Sequence, residues 1–232
     1  LACNLGNYEI VEFLLSSGTI NNPNAFTFEV DNFCFMDFSK PRAADIFRLL
    51  INKDTISIPN DITRHAKSAI MADSSDVLDI MLSDNRLSFN LHSLLQTSVE
   101  TKKPEILGQI LEKRDCDSIL DVNYKEFLML CWEKKSSECF SVLLQEEVFC
   151  KSIATFTSQT LKSFFGKKTY SIRYITPENA SEIADIAFAL SKCVGCENID
   201  FIPKCGAKED ALIEDAVISR VNRSRHKSAK KQ

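Results

Sequence analysis

One seven-residue pattern constrains this chain more than any other feature. An acidic residue is followed by two apolar residues, a spacer, and three mostly apolar residues. The copies are Glu9–Leu15, Asp45–Ile51, Asp76–Leu82, Glu105–Leu111 and Glu138–Leu144. Their starts are separated by 36, 31, 29 and 33 residues, a mean near 32. Apolar residues one, two, five and six positions after the acid form one buried stripe on a helix. The acid falls in the first turn, where it complements the helix dipole.

A second, shorter helix is expected before each stripe, at Leu1-Ala2-Cys3, Asp37-Phe38-Ser39, Ser68-Ala69-Ile70, Thr97-Ser98-Val99 and Leu130-Cys131-Trp132. The middle residue is small in four of the five, which lets two helices approach closely. Phe38 departs from this, so the second copy is expected to pack differently. Short polar turns join the two helices of each pair.

A helix pair recurring at about 33 residues is the spacing of ankyrin-type repeats. The opening run Leu1–Gly18 resembles that family at Leu1, Ala2, Gly6, Glu9, Ile10, Val11, Leu14, Leu15 and Gly18. Gly6 stands at the family's inter-helix turn and Gly18 at a helix C-cap, where positive φ suits glycine. No copy has the family's Thr-Pro-Leu-His opening, and the turn glycine does not recur. The chain therefore resembles a degenerate ankyrin-repeat protein. The resemblance implies an all-α fold, a helix-pair solenoid in which each unit is covered by its neighbours. Leu1 falls midway through a first helix, so the chain reads as a fragment with further repeats upstream.

Regularity fades after residue 150. The expected organisation is degenerate repeats over 1–150, a divergent capping repeat and helices over 151–219, and a basic disordered tail over 220–232. Within the second segment, Thr176, Pro177 and Glu178 mark a helix start. Ile183, Ile186, Ala187 and Leu190 mark the buried face of that helix. Glu182–Phe188 partly repeats the stripe.

Nothing in the sequence points to an enzyme. Six dispersed glycines make no phosphate-binding loop, and His65, His92 and His226 have no paired spacing. No cofactor is expected. Nine cysteines, an odd number in a chain long enough to bury a core, read as mostly buried thiols in a reducing, cytoplasmic setting. Cys193-Val194-Gly195-Cys196, with Cys205 nine residues on, is the one metal-like spacing. A zinc knuckle needs a fourth ligand, so a turn carrying two thiols is preferred and zinc is the lesser alternative.

Charge is uneven. Of 28 basic residues, Arg220, Arg223, Arg225, Lys227, Lys230 and Lys231 lie in the tail, which leaves 22 against 32 acidic residues in the body. Such a tail suits an acidic surface, nucleic acid or nuclear import, with salt-sensitive binding. The expected role is a non-enzymatic scaffold that binds another protein through a concave face and its loops, with no membrane partner. Contacts are expected at Asn21, Asn22, Asn24, Asn52, Lys53, Asp54, Asp84, Asn85 and Arg86. The alternative is a structural component of a large cytoskeletal or ribonucleoprotein assembly, anchored by the tail.

Overall fold

The computed structural model describes residues 2–17, 36–52, 61–157, 159–161, 165, 177–194, 211–213 and 215–217. All regular structure among them is helical, apart from one isolated parallel bridge between Asp61 and Ser88. The longer helices are α1 (Tyr8–Ser16), α2 (Ala43–Ile51), α3 (Thr63–Met71), α4 (Ser75–Ser83), α5 (Leu91–Glu100), α6 (Pro104–Lys113), α7 (Asp117–Lys134), α8 (Ser137–Leu143), α9 (Glu147–Ala154) and α10 (Pro177–Cys193). The five stripes fall on α1, α2, α4, α6 and α8, and the partial sixth falls on α10. No helix of the described residues is long and apolar enough to cross a membrane.

Helix starts follow local chemistry. Asn7 and Asn90 accept the amides of Ile10 and Ser93 at the starts of α1 and α5. Asp61 accepts the Thr63 amide before α3. Pro104 opens α6, where its missing N–H costs nothing.

The chain divides into two compact units, Leu1–Cys116 and Asp117–Gln232. In the first, the stripe helices pack in chain order: α1 on α2, α2 on α4, and α4 on α6. Helices α3 and α5 pack on each other, and each packs on its own partner, α4 or α6. The core is the set of stripe positions, among them Ile46, Phe47, Leu50, Val77, Leu78, Met81, Ile106, Leu107 and Ile110. Each such side chain contributes about 1.5–3 kcal/mol by leaving water. The small residues expected at the helix approaches, Ala69 and Ser98, are fully buried.

In the second unit, α8 packs on α7 and α10, and α9 packs on α7 and α10. Cys131 is the buried small residue of α7. Ile183, Ile186, Ala187 and Leu190 are buried on α10, as their spacing requires. Trp132 stacks at a tilt on Phe165, with 4.4 Å between ring centroids.

Two expected first helices are not helical. Residues 2–6 form turns, and Asp37, Phe38 and Ser39 lie in turns as well. Phe38 is buried edge-on against Phe47, 6.4 Å between centroids, where the other copies place a small residue between helices. A ring of that volume takes the space a neighbouring backbone occupies elsewhere.

The inter-helix turns share a geometry that the residue types conceal. Gly6, Arg42, Asp73, Lys102 and Lys135 all have φ between 53° and 69°, and each stands three residues before the stripe acid. In four copies the same two bonds close the turn. The amides of Asn7, Ser74, Lys103 and Ser136 donate to the carbonyls of Ala2, Ala69, Ser98 and Cys131. The amides of Gly6, Asp73, Lys102 and Lys135 donate to Cys3, Ile70, Val99 and Trp132. This is the Schellman ending of a helix, in which the left-handed residue favours glycine. Residues 2–7 thus form the same helix ending as α3, α5 and α7.

Four side-chain-bearing residues hold this conformation at a steric cost. Lys102→Gly is expected to stabilise the first unit by about 0.5–1 kcal/mol. Gly6→Ala is expected to destabilise it, because a Cβ there would sit 2.9 Å from the Pro41 carbonyl oxygen. Urea midpoints followed by circular dichroism measure both signs.

Candidate interaction surface

The segments after the stripe helices were the expected contact loops. Asn21, Asn22, Asn24, Lys53 and Asp54 lie outside the described residues, as do the six basic residues of the tail. Asn52 is the exposed C-cap of α2. Asp84, Asn85 and Arg86 follow α4, with Asn85 and Arg86 exposed.

Asp84 and Arg86 engage each other. The Arg86 guanidinium reaches Asp84 Oδ2 at 2.6 Å and donates to the Ile51 carbonyl at 3.1 Å. The Arg86 contact, ahead of other influences, holds the Asp84 carboxyl below its ordinary range. Arg86 therefore ties its loop back to the end of α2, where unpaired carbonyls attract a cation. Asn85 is the exposed residue of the trio that this contact leaves projecting.

Arg114 repeats the device one copy later and was missed in the sequence. Its guanidinium donates to the Asp84 carbonyl at 3.2 Å and lies over the Phe89 ring at 5.1 Å. The available signal was its place, nine residues after Glu105, close to the ten between Asp76 and Arg86. Other ties run the same way, from a later copy to an earlier one. Lys103 pairs with Asp73 at 2.8 Å, Lys113 pairs with Asp79 at 3.1 Å, and Gln109 donates to the Ser75 carbonyl at 3.1 Å. Arg42 pairs with Glu9 and lies over the Tyr8 ring at 3.7 Å. Exposed pairs of this kind are worth little stability singly. Their repetition fixes the register of one copy on the next.

Between these ties lies an open groove of about 430 Å³ across α2, α4 and α6, with Asp45, Asp76, Asp79, Arg48 and Gln109 in its wall. Two of its carboxylates are committed: Asp45 pairs with Arg42 and Arg48, and Asp79 with Lys113. The groove is thus a polar surface whose charged wall holds three carboxylates and one guanidinium.

One stripe is half uncovered: Val11 of α1 is buried, but its neighbours on the stripe are not. Ile10 and Leu14 of α1 are 48% and 38% exposed, whereas the matching residues of α2, α4, α6 and α8 are no more than 2% exposed. The cause is packing order: each of α2, α4 and α6 lies on an earlier stripe helix, and α1 has none before it among the described residues.

His65 lies in the core of the first unit, 1% exposed. Burial, with a smaller contribution from Arg64, pushes its pKa down to about 4. Among the described residues no group of three or more His, Cys, Asp or Glu is placed to hold a metal. Cys193 is half-buried at the end of α10, and Cys196, Cys205 and His226 lie outside the described residues. No family model, no curated protein sequence and no solved structure matches this chain.

Proposed function

We propose that this chain is a degenerate ankyrin-like helix-pair solenoid acting as a non-enzymatic scaffold for another protein. The observation that carries the reading is the conserved frame beneath the divergent sequence. All five copies place a left-handed residue three positions before the stripe acid, where the first copy and the ankyrin family have glycine. The order of contacts in the first unit, each stripe helix on the next in sequence, supports the same architecture. Rigid stacked pairs present a broad surface at little cost in ordering, which favours binding of a folded partner.

Within this reading the polar loops after the stripe helices are the contact points, and Asn52 and Asn85 are the exposed positions free of the Arg86 tie. The basic tail adds a salt-sensitive contact to an acidic surface on the same partner or on nucleic acid. The compartment proposed is the cytoplasm or nucleus.

The test is site-specific photo-crosslinking in cells of the source, with the reactive group placed at Asn52, at Asn85, or at Glu112 on the exposed side of α6. One partner captured at both loop positions and not at Glu112 supports the reading. Capture at Glu112 alone would place the binding surface on the stripe helices and end it.

A further inference from the structure

We propose that the exposed face of α1 is a docking surface for a basic amphipathic helix of another protein. Its apolar residues are Leu5, Ile10, Phe13 and Leu14. Leu5, in the turn before α1, is 64% exposed, and Phe13 is 66% exposed. Ile10, Phe13 and Leu14 share one side of the helix, being three and four positions apart. In later copies the residues matching Phe13 include Ile80 and Gln109, which line the groove between stripe helices. Phe13 stands where a further helix would pack, and an amphipathic helix is the shape such a face accepts.

Charge decides which helix. Residues 1–39 contain five acidic residues and no Lys, Arg or His. Glu9 and Glu12 lie along the Phe13 edge of the apolar face by helical spacing. Glu9 pairs with Arg42. Glu12 accepts from the Tyr8 hydroxyl at 3.2 Å and has no ion pair among the described residues. A carboxylate at the rim of an apolar face favours a partner that brings a cation to that rim.

Other occupants fit less well. Where one copy stacks on an earlier one, the later copy supplies a cation: Arg42 to Glu9, Lys103 to Asp73 and Lys113 to Asp79. The matching positions of the first copy are Gly6, Asn7 and Ser17, none of them charged. A helix pair of the same kind would dock on α1 without its usual tie. A second copy meeting α1 face to face would set carboxylates against an edge that also lacks cations. An anionic membrane surface is disfavoured by the same carboxylates. The surface is separate from the loops at Asn52 and Asn85, and the proposal does not rest on them.

The experiment titrates the full chain into a labelled synthetic helix with leucine along one face and lysine along its flanks, read by fluorescence anisotropy. Two control peptides carry glutamate in place of the lysines, or serine in place of the leucines. The expected result is binding of the leucine–lysine peptide at least about tenfold tighter than of either control. Phe13→Asp should weaken that binding about tenfold or more. Its added charge would strengthen any non-specific attraction to lysine, so a loss reports the apolar contact. Glu12→Lys should weaken it about twofold to fivefold and improve binding of the glutamate peptide. Both positions are exposed, and circular dichroism checks that each variant keeps the fold. No binding by the wild type, equal binding of the lysine and glutamate peptides, or a Phe13→Asp variant that binds as tightly as the wild type overturns the proposal. So does a wild-type dimer in sedimentation that Phe13→Asp dissociates, since a second copy would then be the occupant.

Discussion

Replacing Phe140 by alanine is expected to destabilise the second unit by about 3–5 kcal/mol. Phe140 is 0% exposed, on the stripe of α8, edge-on to Phe149 with 6.3 Å between centroids. Helix α8 is gripped from two sides, by α7 and α10. Truncation therefore leaves a cavity that rigid helices on both sides cannot fill, which adds to the lost transfer energy. Trp132, the one tryptophan of the chain, lies in this unit against Phe165 and reports its unfolding by fluorescence. The control is Phe13→Ala. Phe13 lies on α1 beside its stripe, four residues after Glu9, and is 66% exposed, so the expected cost is under about 1 kcal/mol. Since Phe13 lies in the first unit, its effect is read by circular dichroism. Equal costs at the two positions would mean that α8 is not packed as described.

The second large effect is a pH dependence set by His65. Its folded pKa of about 4 lies below the ordinary 6.5, because burial disfavours the charged ring. Above pH 6.5 the ring is neutral whether the chain is folded or not, and nothing is lost. Between pH 6.5 and 4 the unfolded chain takes up a proton that the fold refuses. The first unit is then expected to lose about 3 kcal/mol across that window, with little further loss from this residue below it. Asp61 and Asp84 have carboxyls held below their ordinary range, Asp61 by Thr63 and Asp84 by Arg86. Their contributions are present above about pH 4 and are lost as pH falls through the lowered values, so they act in a separate, more acid window. Urea midpoints by circular dichroism at pH 7, 5.5 and 4 should fall for the wild type. They should fall far less for His65→Leu. A parallel fall in both proteins would remove His65 as the cause.

The helices of the stripes were legible because their signal is local. An acid in the first turn and apolar residues on one side specify a short amphipathic helix wherever they occur. The start of α10 at Pro177 and its buried face were readable for the same reason. The long helix α7 was less so: apolar residues such as Val122, on its exposed side, blur the periodicity. Gly6 was readable as a turn residue, whereas Arg42, Asp73, Lys102 and Lys135 were not. Their left-handed backbone is imposed by the packed segments on both sides, a helix before Asp73, Lys102 and Lys135 and a turn before Arg42, against the intrinsic preference of each residue.

The expected contact loops divide in the same way. Polar residues after a helix mark a loop in any sequence. That Arg86 reaches back to the Ile51 carbonyl, and Arg114 to Asp84, depends on a partner 35 or 30 residues away.

The amino-acid order alone therefore determined the helical class, the period, and which side of each stripe helix seeks cover, since these depend on residues within two turns of one another. Tertiary packing alone decided which stripes are covered, which turns are strained, and which arginine ties which copy. Those outcomes depend on side chains brought together from distant positions, where burial and steric fit outweigh local preference.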